Sequence, residues 1–166
     1  RHPGVVAIYD LDEKTRTLVM EHLPGGSLRS LLPGGLTVEQ TASIARTLLS
    51  ALAYVHARGV VHGDLTPRNI LLRRTGETVL ADFGNARLIE GKGTGEVAGT
   101  PIYLAPEQFR GAPPSPAADV FSAGAVLWEA LCGRPMRQQG ELAANRFGTA
   151  PVPRGVVPRR RGSAPT

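Results

Sequence analysis

The stretch from Thr37 to Gly59 constrains this chain more than any other. Ile44, Leu48, Leu52 and Val55 recur at helical spacing, so one face of a helix must be buried. Thr37 can cap that helix, with Gln40 three residues on completing a capping box, and Gly59 supplies the stop. Short β segments follow at once: Val60-Val61, a polar loop from His62 to Asn69, a strand Ile70–Leu72, a turn at Thr75-Gly76 and a strand Thr78–Ala81. A second buried helix is expected from Ser115, as its cap, through Leu131.

Ahead of the first helix, Val5–Asp10 and Thr17–His22 read as two short strands around the polar turn Asp12-Glu13-Lys14-Thr15. Pro24-Gly25-Gly26 breaks that pattern, and Ser27 opens a short helix through Leu32. Between Asp82 and Glu107 nothing is strongly periodic, which marks a long connection of the kind that tends to be functional.

The net charge of +5 invites a nucleic-acid reading that its distribution rejects. Residues 1–132 hold 12 Lys/Arg against 13 Asp/Glu, whereas 133–166 hold seven Arg and the single acid Glu141. The basicity belongs to the tail. Arg159-Arg160-Arg161 has only Phe147 as an aromatic within that tail, so a solvated tail is expected and no specific nucleic-acid partner. No run is long enough to span a membrane; the most apolar, Val120–Cys132, carries Glu129. The single cysteine, Cys132, excludes an internal disulfide and fits a reducing compartment, so a cytoplasmic location is expected.

Three side chains carry the chemistry. Asp64 and Asn69 share the polar loop His62-Gly63-Asp64-Leu65-Thr66-Pro67-Arg68-Asn69, and Asp82-Phe83-Gly84 follows directly after a strand. Phosphoryl transfer from ATP needs little covalent help; it needs metal on the phosphates and a group that orients the attacking hydroxyl. An Asp as base, with an Asn and a second Asp as oxygen donors for Mg2+, supplies those parts. Alone, each element is an ordinary turn former.

Their order is not ordinary. Gly99-Thr100-Pro101-Ile102-Tyr103-Leu104-Ala105-Pro106-Glu107 comes next, then Asp119-Val120-Phe121-Ser122-Ala123-Gly124. The sequence resembles the eukaryotic-type Ser/Thr protein kinases: a catalytic loop at His62–Asn69, a metal motif at Asp82–Gly84 and the end of an activation segment at Ala105–Glu107. The resemblance implies an α+β, protein-kinase-like fold, with a predominantly helical C-terminal lobe and a remnant of the small β lobe. It implies a partial kinase domain over 1–136 and an Arg/Pro-rich, disordered tail over 137–166. It also implies ATP and Mg2+ as cofactors and a protein as substrate. The candidate catalytic residues are then Asp64, Thr66 and Asn69, with Asn69 and Asp82 on the metal. Met20 matches the gatekeeper, Glu21 and Leu23 the adenine-binding hinge, and Leu71 the floor of the adenine pocket; Ser27 joins these as nucleotide-binding. Ile8, His62 and Phe83 resemble the family's regulatory stack, with Asp119 anchoring it, and Thr100 matches the threonine that contacts the catalytic Asp in Ser/Thr members.

Four departures matter. The Gly-rich loop, the ATP-site lysine and its glutamate partner are not in the chain, so poor ATP binding and scant turnover are expected of it as it stands. Gly63 replaces the arginine that receives an activation-loop phosphate, which implies an enzyme independent of phosphorylation at Thr94 or Thr100. Thr66 replaces the catalytic-loop lysine. Glu107 lacks its usual arginine in later helices, which predicts local instability around the activation segment. Rival readings are a pseudokinase or docking module, an inactive truncated gene product, and a small-molecule phosphotransferase. His62-Gly63-Asp64 is closer to the last group, but those enzymes lack the segment Gly99–Glu107.

Overall fold

A computed structural model describes residues 1–89 and 100–137. In chain order the elements are β1 (Ile8–Asp12), β2 (Thr17–Met20), α1 (Val38–His56), β3 (Val60–Val61), β4 (Ile70–Leu72), β5 (Thr78–Leu80), β6 (Arg87–Leu88) and α2 (Pro116–Cys132). Single 3-10 turns lie at Leu28–Leu31, Pro101–Tyr103 and Gln108–Arg110. The strands make three antiparallel pairs: β1 with β2, β3 with β6 and β4 with β5. This is an α+β, protein-kinase-like arrangement.

The long helix forms as its sequence requires. The Thr37 side chain accepts from the Gln40 N–H, and the Gln40 side chain accepts from the Thr37 N–H, closing the capping box. Ile44, Leu48, Leu52 and Val55 are all buried, packed with Ala123, Val126 and Ala130 of α2 and with Ile70 and Leu80 of the β4–β5 pair. Each fully buried leucine here contributes about 1.5–3 kcal/mol relative to exposure. Ser115 caps α2 by accepting from the Ala118 N–H, and Gly133, in the left-handed region, ends it.

Several boundaries differ from the sequence reading. The first strand begins at Ile8 rather than Val5. Val5 and Val6 are drawn instead to β5: Val5 bridges Leu80 in parallel, and the Val6 N–H donates to the Leu80 carbonyl. Burial of Val6 with Leu23, Val79 and Ala81 explains that allegiance. The second strand ends at Met20 rather than His22, and the helix expected from Ser27 is one 3-10 turn without a side-chain cap. β6 was unexpected; two residues paired with β3 leave no periodic signature.

The expected tail lies outside the described residues from 138 onward, including Phe147 and Arg159-Arg160-Arg161. Its first member, Arg137, is buried. It donates to the Leu104 carbonyl at 2.6 Å and lies over the Phe121 ring at 4.9 Å. Among the described residues, no helix is long and apolar enough to cross a membrane.

Candidate active site

The loop His62–Asn69 is held from below by a single carboxylate. Asp119, in the first turn of α2 and 2% exposed, accepts from the His62 N–H at 2.8 Å and the Gly63 N–H at 3.0 Å. The Nε2 of His56, at the end of α1, lies 2.8 Å from the same carboxylate. Three donors around one buried carboxylate satisfy it, which removes the usual penalty of burying such a group. Leu65, buried in the main core, pins the loop from its middle.

His62 is fully buried and its partners define its tautomer. Nδ1 accepts from the Asp64 N–H at 3.3 Å, so Nε2 carries the proton and donates to the Ala81 carbonyl at 3.0 Å. Its ring packs on Phe83, centroids 4.9 Å apart. Ile8, expected to complete this stack, does not join it. It is exposed and belongs to neither apolar cluster, because β1 turns away where Val6 stays with β5.

Gly63 is left-handed at φ +78°, and a Cβ there would stand 3.0 Å from the Asn85 carbonyl oxygen. Glycine relaxes the backbone where the family carries a longer residue. Asp64 follows with its side chain turned toward the far wall. Its Oδ1 accepts from both the N–H (3.0 Å) and the hydroxyl (3.2 Å) of Thr100, while Oδ2 has one long contact, 3.4 Å, from the Asn85 amide. Asn85 was missed by sequence reasoning; only its place one residue after Gly84 could have pointed to it.

Asn69 donates its side-chain amide to the Asp64 carbonyl at 2.8 Å, which directs Oδ1 the other way as a neutral oxygen donor. Asp82 is exposed and itself left-handed, φ +58°, an uncommon conformation for a residue with a Cβ. Its Oδ1 accepts from the Gly84 N–H at 3.2 Å. One carboxylate and one amide oxygen fit Mg2+, which takes oxygen ligands, keeps several waters and draws the rest of its shell from phosphates. They would not by themselves form a closed cage, and among the described residues no group of three or more His, Cys, Asp or Glu does so.

Thr66 is buried, and its hydroxyl accepts from the Arg68 N–H at 3.3 Å. Leu23 and Leu71 meet in one small apolar cluster with Val6, Val79, Ala81 and Phe83, while Met20 stays half exposed outside it. The Glu21 N–H donates to the Ala7 carbonyl, and its carboxylate holds Arg73 through two hydrogen bonds, 2.6 and 3.2 Å. Ser27 bridges Leu71 across the strand edge. Gly25 is required there: a Cβ would fall 2.6 Å from the carbonyls of Leu72 and Arg73.

The segment Thr100–Glu107 is tied down by two long-range bonds and a local one. Tyr103 donates its hydroxyl to Glu129 at 2.6 Å, Ser122 donates to the Tyr103 carbonyl, and Gln108 accepts from the Ala105 N–H. Burial, then the hydrogen bond to Glu129 and its charge, push the Tyr103 phenol well above its usual range. Glu107 is half buried, and Arg137 ties the neighbouring backbone through the Leu104 carbonyl. Gly99 and Thr94 lie outside the described residues.

The protein kinase domain family matches residues 1–149. The chain belongs to the protein kinase family. Serine/threonine-protein kinase PkaA of Streptomyces coelicolor is 42% identical over 144 residues, covering 81% of this chain and 26% of PkaA. Serine/threonine-protein kinase PknA of Mycobacterium tuberculosis is 39% identical over 154 residues, 85% of this chain and 36% of PknA. PknL of the same species is 40% identical over 137 residues, 78% of this chain and 34% of PknL. This protein kinase chain thus spans between about a quarter and just over a third of those relatives.

Proposed function

We propose that the chain carries the catalytic-loop and activation-segment part of a Ser/Thr protein kinase that moves the ATP γ-phosphoryl group to protein hydroxyls. The paired bonds from Thr100 to Asp64 support this most directly, because they join the substrate-facing segment to the candidate base. With Oδ1 occupied by Thr100, Oδ2 is the atom left to orient the substrate hydroxyl and take its proton. Asn69 and Asp82 would hold Mg2+. Bound Mg-ATP supplies the transferable group and the charge that offsets its oxygens. Glu21 and Leu23 would meet the adenine through their backbone, over Leu71, with Met20 and Ser27 at the edges. The place of work read for this chain is the cytoplasm.

A docking module without turnover is the second reading, favoured by Thr66. Its buried hydroxyl is engaged by a backbone N–H and brings no charge to the transferred phosphate. Both readings are separated by following labelled γ-phosphoryl transfer to a protein acceptor in the intact protein. Asp64→Asn and Asp82→Ala should each lower the rate by about 100-fold or more. Unchanged transfer in Asp64→Asn would sink the catalytic reading, and ATP binding without transfer would select the docking one.

A further inference from the structure

Beside Asp64 opens a cleft of about 230 Å³, lined by Arg29, Thr66, Pro67, Arg68, Thr100, Ile102 and Tyr103. Two of these are arginines and none is acidic. The carboxylate beneath it, Glu129, is 2% exposed and spent: one oxygen is held by Arg29 and the other by Tyr103, both at 2.6 Å. A guanidinium has five N–H donors, and the bond to Glu129 uses one, so the half-exposed Arg29 keeps others for the cleft. Arg68 is exposed, and among the described residues no carboxylate pairs with it. Thr100 belongs both to the cleft wall and to the Asp64 contact, so whatever fills the cleft sits close to the acceptor hydroxyl.

We infer that this cleft selects substrates carrying an anionic side chain, a carboxylate or a phosphate, close in sequence to the accepting Ser or Thr. This deepens the kinase reading of the same site and rests on it for the meaning of "acceptor". Because Thr100 both contacts Asp64 and lines the cleft, an extended peptide at ~3.3–3.6 Å per residue reaches from one to the other within a few residues. Pro67 and Ile102 give the apolar sides against which a short side chain can lie. Planar guanidinium forks bind either anion through paired, charge-assisted hydrogen bonds.

The test measures peptide binding by fluorescence anisotropy, with an Ala in place of the acceptor so that no turnover is needed. Four otherwise identical peptides carry Glu, phosphoserine, Gln or Lys at the flanking positions. Peptides with Glu or phosphoserine should bind about five- to tenfold more tightly than the Gln peptide, and the Lys peptide more weakly. Phosphoserine favoured over Glu would name the phosphate as the ligand, Glu favoured over phosphoserine the carboxylate, and equal binding of these two a cleft that takes either anion. Arg68→Glu should invert the order in favour of Lys, an inversion that general loss of structure cannot produce. Arg68→Gln should flatten it. Equal binding of all four peptides to the wild-type chain, or an order untouched by Arg68→Glu, overturns the inference. Should the chain transfer no phosphoryl group yet keep the charge preference, the kinase reading fails and the cleft assignment stands.

Discussion

The β1–β2 ribbon and the helical lobe are built from equally apolar residues and use them in opposite ways. Leu48 and Leu52 of α1 are 2% and 1% exposed, whereas Leu11 and Leu18 in the ribbon are 57% and 48% exposed. Ile8, Tyr9, Val19 and Met20 are exposed as well, so the ribbon shows apolar groups on both faces. Its strands are held by their own ladder and by the Glu21–Ala7 bond at its base. A two-stranded ribbon is at best marginally stable alone, and this one draws nothing from side-chain burial. Hydrophobic content therefore says little here until the partner surface is named. The lobe has one, because α1 packs against both α2 and β5.

That contrast can be broken at its strongest point first. Asp119→Ala leaves the His62 and Gly63 N–H groups buried without an acceptor and strips His56 of its partner. Urea denaturation should show a loss of about 3–5 kcal/mol. Gly63→Ala places a Cβ on a left-handed backbone against the Asn85 carbonyl, and should cost about 1–2 kcal/mol by the same measurement. At the weak end, Leu18→Ala in the ribbon should change stability by less than about 0.5 kcal/mol. A loss comparable to that of a buried leucine, about 2–5 kcal/mol, would mean the ribbon is packed in solution and the comparison is wrong.

What could be read in the sequence was local. The capping box at Thr37, the buried face of α1, the Ser115 cap and the β4–β5 pair each have a signature within a few residues, and each appears as expected. So does the order of motifs that marks the family. What stayed hidden depends on partners far along the chain. Glu129, inside an apolar run, is explained by Arg29 and Tyr103, and Arg137 by distant groups that include Leu104, Phe109 and Phe121. Pairing between β3 and β6 is set by how the loop after Gly84 returns, which no periodicity records. Ile8 misled for a related reason: alternation shows that a residue can be buried, not that something lies opposite it.

Asp119 and Glu129 stand at opposite ends of α2, and they grip different parts of the machinery. The first holds the backbone of the loop bearing Asp64; the second holds Tyr103 in the segment Thr100–Glu107. Both are on one rigid rod, so the spacing between their grips is the rise of the helix between them, roughly 15 Å. Helix α2 thus acts as a ruler. Loops can move around it, but the span between the loop bearing Asp64 and the segment bearing Tyr103 is fixed by peptide geometry, and an inserted or deleted residue in α2 would misalign the two.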